Sequence, residues 1–142
     1  MIEQGIAHPG KIGLQGHSWS GFQTSYLVTK TDLFTCANIG APITDMVTGY
    51  LGIRGGSGLP RYFMYEEWQS RMGKNLWEAK DKYLASSAII EADKIHTPLL
   101  IWHNDKDEAV AYEQGRALYL AMRRLQRPAW HLNYKGEGHF LS

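Results

Sequence analysis

The sequence predicts an α/β fold: a mostly parallel sheet of about four strands flanked by helices. Three observations predict it. Apolar runs and helical segments follow the order strand, helix, strand, helical insert, strand, helix, strand. That alternation belongs to parallel strands joined by right-handed crossovers. The runs themselves, such as Leu99-Leu100-Ile101-Trp102, do not alternate with polar residues, which is the pattern of strands buried inside a parallel sheet. Finally, the stretch Gly16-His17-Ser18-Trp19-Ser20-Gly21 places a serine among small residues where the first strand passes into the first helix. Sheets of this kind carry their chemistry on loops beyond the carboxyl ends of strands.

Composition bounds the rest. A chain of 142 residues suits one domain, and 44% hydrophobic residues suffice for a core. Fifteen basic residues against fourteen acidic ones leave a net charge of +1, which gives no support for a nucleic-acid or anionic-membrane partner. No apolar run approaches the roughly 20 residues that span a bilayer. Met1-Ile2-Glu3-Gln4 has neither a basic start nor a long apolar core, so no leader is expected. The single cysteine, Cys36, excludes an internal disulfide, and its apolar neighbourhood predicts a small buried group.

Taken in order, residues 1–7 read as the tail of a helix that His8-Pro9-Gly10 ends. Lys11 to Gln15 reads as the first strand, and Phe22 to Lys30 as the helix behind the serine turn. Phe34 to Ile39 is a second strand, closed by Gly40-Ala41-Pro42. The five glycines and the proline between Gly49 and Pro60 read as a loop. Helical pieces are expected within Arg61 to Arg71 and from Leu76 to Tyr83. The aromatic residues between Tyr62 and Trp77 either wall a pocket or pack on one another. Leu99 to His103 is the clearest buried strand, and Asn104 to Ala109 a polar loop. Tyr112 to Leu125 repeats Leu118, Met122 and Leu125 at helical spacing. Ala129 to Tyr134 is the last strand, before the loop Gly136-Glu137-Gly138-His139.

The serine turn has the form of a nucleophile elbow. Its turn is so tight that the positions two before and two after the serine must be small; here they are Gly16 and Ser20. The competing reading of Ser18 is a simple helix N-cap. A serine hydroxyl needs an imidazole to take its proton, and the imidazole needs a carboxylate to fix its tautomer. Ser18 is read as nucleophile, His139 as base and Asp107 as orienting acid, with Asp105 as the competing acid. The Trp19 backbone N–H, at the positive end of the following helix, is the oxyanion donor. Of the remaining histidines, His8 and His96 look like surface residues, His103 and His131 like packing residues, and His17 is expected to point away from Ser18. No Cys/His cluster or i, i+4 histidine pair suggests a metal, and no cofactor is implied.

The three motifs Gly16 to Gly21, Trp102 to Val110 and Gly136 to His139 resemble the catalytic domain of the prolyl oligopeptidase family of serine peptidases. The resemblance implies an α/β-hydrolase fold. It also implies an acid loop of the form Gly-x-x-Asp-x-x-Val, with Asn104 at the glycine position and Val110 at the valine, and this selects Asp107 over Asp105. Residues 1–142 are then expected to be a C-terminal portion of such a domain, a partial α/β-hydrolase fold lacking the first strands and the closing helix. Hydrolysis of short peptides through an acyl-enzyme is the implied activity. A carboxylesterase or other acyl hydrolase on the same fold, or an inactive truncated module, are the alternatives. The elbow strand would lie at an open edge, so a homo-oligomer through that edge, or the missing part of its own domain, is the expected partner besides a peptide. The resemblance leaves the compartment open between cytoplasm and periplasm.

Overall fold

Four parallel strands position everything else. In the computed structural model, which describes residues 1–141, they are β1 (Gly13–His17), β2 (Cys36–Gly40), β5 (Leu99–Trp102) and β6 (Ala129–Leu132). Their order across the sheet is β1-β2-β5-β6, with all three pairings parallel. The elbow strand β1 is therefore an edge strand.

The register sorts side chains by face. Ala37, Leu99 and Ala129 lie opposite one another, as do Ile39, Ile101 and His131. The apolar members of these rows are buried with Val28, Ala92, Ile95, Leu118 and Met122. Those partners come from three elements on the same side of the sheet: α1 (Trp19–Leu27) with its following turn, a 3₁₀ segment over Ala88–Lys94, and α5 (Glu113–Arg124). α5 buries Gln114, Gly115, Leu118 and Met122, one stripe at helical spacing. Arg123 and Arg124 in its last turn complement the negative end of the helix. The opposite face carries the row Gln15, Asn38, Leu100 and Trp130 along an open groove of about 530 Å³. Trp130 is 59% exposed there.

Between β2 and β5 lies an insert: α2 (Met46–Leu51), a hairpin of β3 (Ile53–Arg54) and β4 (Leu59–Pro60), α3 (Tyr62–Glu66) and α4 (Lys80–Ala85). Asp45 caps α2 by accepting the Val47 N–H at 2.9 Å. Met46, Tyr50, Met64, Tyr65 and Tyr83 form the insert's own core, and Val110, from the loop after β5, packs into it. It is tied to the sheet layer by Gln114, whose side-chain oxygen accepts the backbone N–H of Thr44 at 2.9 Å.

Three expectations change. Residues 1–7 form no helix: Gly5 takes a φ of +69°, and the N–H groups of Ile6 and Ala7 both turn back to the Met1 carbonyl. The glycine-rich stretch 49–60 holds the end of α2 and the hairpin as well as loop. Cys36 is exposed rather than buried, because it opens β2 at the rim of the sheet. β1 and α1 form as expected, with boundaries shifted by two or three residues.

Candidate active site

The elbow is built from backbone. Ser18 has φ +60° and ψ −120°, a left-handed conformation that costs a non-glycine residue of order 1–3 kcal/mol. It is held by its own N–H donating to the Gly40 carbonyl at 2.8 Å. A Cβ on Gly16 would lie 2.2 Å from the Ser20 carbonyl oxygen, and one on Gly21 2.6 Å from the Gly40 carbonyl oxygen. Both positions must be glycine for the strand and helix to meet this closely. Ser20 does not merely fit: its hydroxyl accepts the His17 N–H at 2.9 Å and donates to the His17 carbonyl at 2.8 Å.

Ser18 precedes α1, yet its side chain caps nothing in the helix. The hydroxyl lies instead 2.8 Å from His139 Nε2. His139 Nδ1 is 2.7 Å from Asp107 Oδ2. The Asp107 side chain is fully buried, and its Oδ1 accepts the N–H groups of Ala109 and Val110, each at 2.8 Å. Burial pushes the Asp107 carboxyl upward, but hydrogen bonds from His103, His139 and Val110 outweigh it, so its pKa lies well below the usual carboxylate range. The three side chains predicted from sequence thus converge. Trp19 opens α1, so its N–H has no acceptor one turn earlier in the helix. Its ring packs on Phe22 with centroids 4.9 Å apart.

Asp105 does something else. Its Oδ1 accepts the Gly136 N–H at 2.8 Å. Asn104 donates to the Gly138 carbonyl at 2.8 Å, and the Lys106 N–H reaches the Glu137 carbonyl at 3.2 Å. These contacts lock the acid loop to the histidine loop.

Two histidines contribute more than the sequence indicated. His103 is fully buried, with Nε2 3.1 Å from the Val110 carbonyl and 3.2 Å from Asp107 Oδ2. Its Nδ1 accepts the Gly115 N–H at 3.3 Å, which puts the ring proton on Nε2, facing Asp107. Gly115 is needed there, because a Cβ would fall 2.7 Å from that Nδ1. The available signal was its position at the carboxyl end of β5, four residues before Asp107. His17 stacks on Trp102 at 4.9 Å, and its Nε2 donates to the His139 carbonyl at 2.9 Å. Burial, partly offset by that bond, lowers its pKa.

Ser18 and His139 open into a cleft of about 460 Å³ whose walls include Arg54, Arg61, Phe63, Trp68 and Phe140. The aromatic insert thus serves both expected ends: Tyr65 and Tyr83 pack inward, while Phe63 and Trp68 face the cleft. No group of residues suited to a metal ion occurs among the described residues.

This parallel sheet with its strand-to-helix elbow defines an α/β hydrolase. The chain belongs to the prolyl oligopeptidase family, which it matches over residues 1–142. It is 26% identical over 135 residues to an uncharacterized peptidase, YuxL, of Bacillus subtilis, covering 94% of this chain and 19% of that one. With dipeptidyl aminopeptidase BIII of Pseudoxanthomonas mexicana it shares 28% identity over 143 residues, 97% of this chain and 20% of the relative. The crystal structure of a puromycin hydrolase superposes with a TM-score of 0.83 at 21% identity, over 99% of this chain and 20% of the other. The chain therefore spans about a fifth of the length of these relatives.

Proposed function

We propose that this chain carries the nucleophile, acid and base of a serine peptidase that cleaves short peptides through an acyl-enzyme. The observation that supports this most is the pair of short contacts through one ring, Ser18 Oγ to His139 Nε2 at 2.8 Å and His139 Nδ1 to Asp107 Oδ2 at 2.7 Å.

In this reading His139 carries its resting proton on Nδ1, donated to Asp107, so Nε2 is free to accept the Ser18 proton. Ser18 Oγ then attacks the scissile carbonyl carbon. The resulting oxyanion takes the Trp19 N–H as donor, at the positive end of α1. His139 Nε2 passes the proton to the leaving amine as the C–N bond breaks, leaving an ester on Ser18. A water molecule, deprotonated by the same nitrogen, releases the acid and restores the hydroxyl. The low pKa of Asp107 keeps it ionised throughout, so it steadies the imidazolium without taking its proton.

Labelling with a fluorophosphonate, read by intact mass, tests the reading. One adduct is expected on the unaltered chain and none on Ser18→Ala. A folded chain that takes no adduct would sink it. Parallel assays with aminoacyl peptides and short-chain esters separate amide from ester hydrolysis.

A further inference from the structure

Two guanidinium groups and no carboxylate line the cleft at Ser18. Arg54, on β3, and Arg61, just before α3, both line it, and no Asp or Glu does. Arg61 is half-buried. Its Nε donates to Met64 Sδ at 3.0 Å and one terminal nitrogen to the Ala109 carbonyl at 2.5 Å. Both acceptors are neutral. Arg54 forms no ion pair among the described residues. Asp107 is buried beneath the cleft with four donors around it, and Glu108 lies against Gly55 and Gly56, outside the cleft lining.

Holding two guanidinium groups in one partly desolvated cleft is unfavourable. Burial lowers the Arg61 pKa, the charge of Arg54 adds to this, and Tyr65 and Asp107 oppose it. An anion placed between the two guanidinium groups would relieve the repulsion and gain charge-assisted hydrogen bonds. Guanidinium is also the side chain best shaped to hold a carboxylate through two parallel bonds. Around the pair, Leu59, Phe63 and Trp68 supply an apolar surface for the carbon chain that carries such a group.

We propose that this cleft selects peptides bearing a carboxylate beside the scissile bond, with Arg54 and Arg61 as the anion-binding pair. The proposal rests on the reading of Ser18 as nucleophile only for its location. The carboxylate can belong to an acidic side chain at the residue whose carbonyl is attacked, or to a free carboxyl terminus.

Calorimetric binding to the Ser18→Ala chain at low ionic strength tests it without requiring turnover. Three peptides are compared: acetyl-Ala-Ala-Glu-amide, acetyl-Ala-Ala-Gln-amide, and acetyl-Ala-Ala-Gln with a free carboxylate. The glutamyl amide is expected to bind about tenfold more tightly than the glutaminyl amide. Arg54→Met should abolish that difference and Arg54→Lys should keep part of it, with circular dichroism showing that each variant folds. Tighter binding of the free acid instead assigns the pair to a chain terminus and still supports the proposal. Equal affinity for all three, no binding of any, or a preference that survives both Arg54→Met and Arg61→Met overturns it. A failed fluorophosphonate reaction on the unaltered chain would sink the peptidase reading alone, so the two failures are told apart.

Discussion

Asp105 and Asp107 are two residues apart and both accept backbone N–H groups, but only Asp107 touches His139. Asp107→Asn should therefore slow fluorophosphonate labelling of Ser18 by ~10³–10⁴-fold, because the amide no longer fixes the imidazole tautomer. Asp105→Asn keeps an oxygen for Gly136 N–H, so its labelling rate should match that of the unaltered chain. Equal losses in the two would contradict the assignment. His103 belongs to the same account. Gly115 fixes its tautomer from behind, so its donor faces Asp107 whatever the state of His139. The resemblance of the loop to the family's acid loop singled out Asp107 in the sequence, and Asp107 is the one of the two that lies against His139. The role of His103 was not legible there. A histidine ending an apolar strand looks like packing until a loop folds a carboxylate back over it.

At the scale of elements, the joint between β1 and α1 is the most constrained part of the chain. Gly16→Ala would drive a Cβ to within 2.2 Å of the Ser20 carbonyl, a backbone atom that cannot swing aside. The expected result is a loss of about 1–3 kcal/mol or more in a denaturant titration, together with loss of labelling at Ser18. A Gly16→Ala chain with normal stability and reactivity would show that the elbow is looser than drawn. The elements themselves were largely readable. Strand order along the chain, the apolar runs and the stripe on α5 all come from local pattern. The failures have physical causes. Residues 1–7 have helix-compatible composition, but Gly5 at positive φ turns the chain out of the helix. Glycine content alone could not distinguish a bare loop from the short hairpin β3–β4, whose two-residue strands carry too little pattern to register. Cys36 looked apolar by its neighbours, yet the first residue of a strand can sit at the rim.

For the molecule as a whole, two solution properties follow. Burial lowers the pKa of His17 and of His131 below the ordinary 6.5. The unfolded chain therefore binds protons before the folded one does, and stability should fall as pH drops through 6.5. Asp107 adds a second, more acidic limb. Its native pKa is depressed, so its contribution is present above the ordinary 3.8 and is lost as pH falls below that value. Thermal unfolding followed from pH 8 to pH 3 should show both declines, and a midpoint that rises on acidification would contradict them. Separately, β1 is an edge strand, and Leu100, Trp130 and Leu132 are exposed on the uncovered sheet face. This chain, expressed alone, should self-associate. Light scattering that finds a monomer across micromolar concentrations would refute that.

Ser18 and His139 stand 121 positions apart, and the three pairings of the sheet all join parallel strands, which no tight turn can connect. Closure between such distant segments is slow compared with helix formation. A refolding chain can regain most of its helical signal while β6 is still undocked and His139 has nowhere to sit. On the proposed triad, such a chain is chemically silent. The serine therefore doubles as a clock: the moment at which it becomes reactive, set against the return of helicity, dates the docking of the last strand.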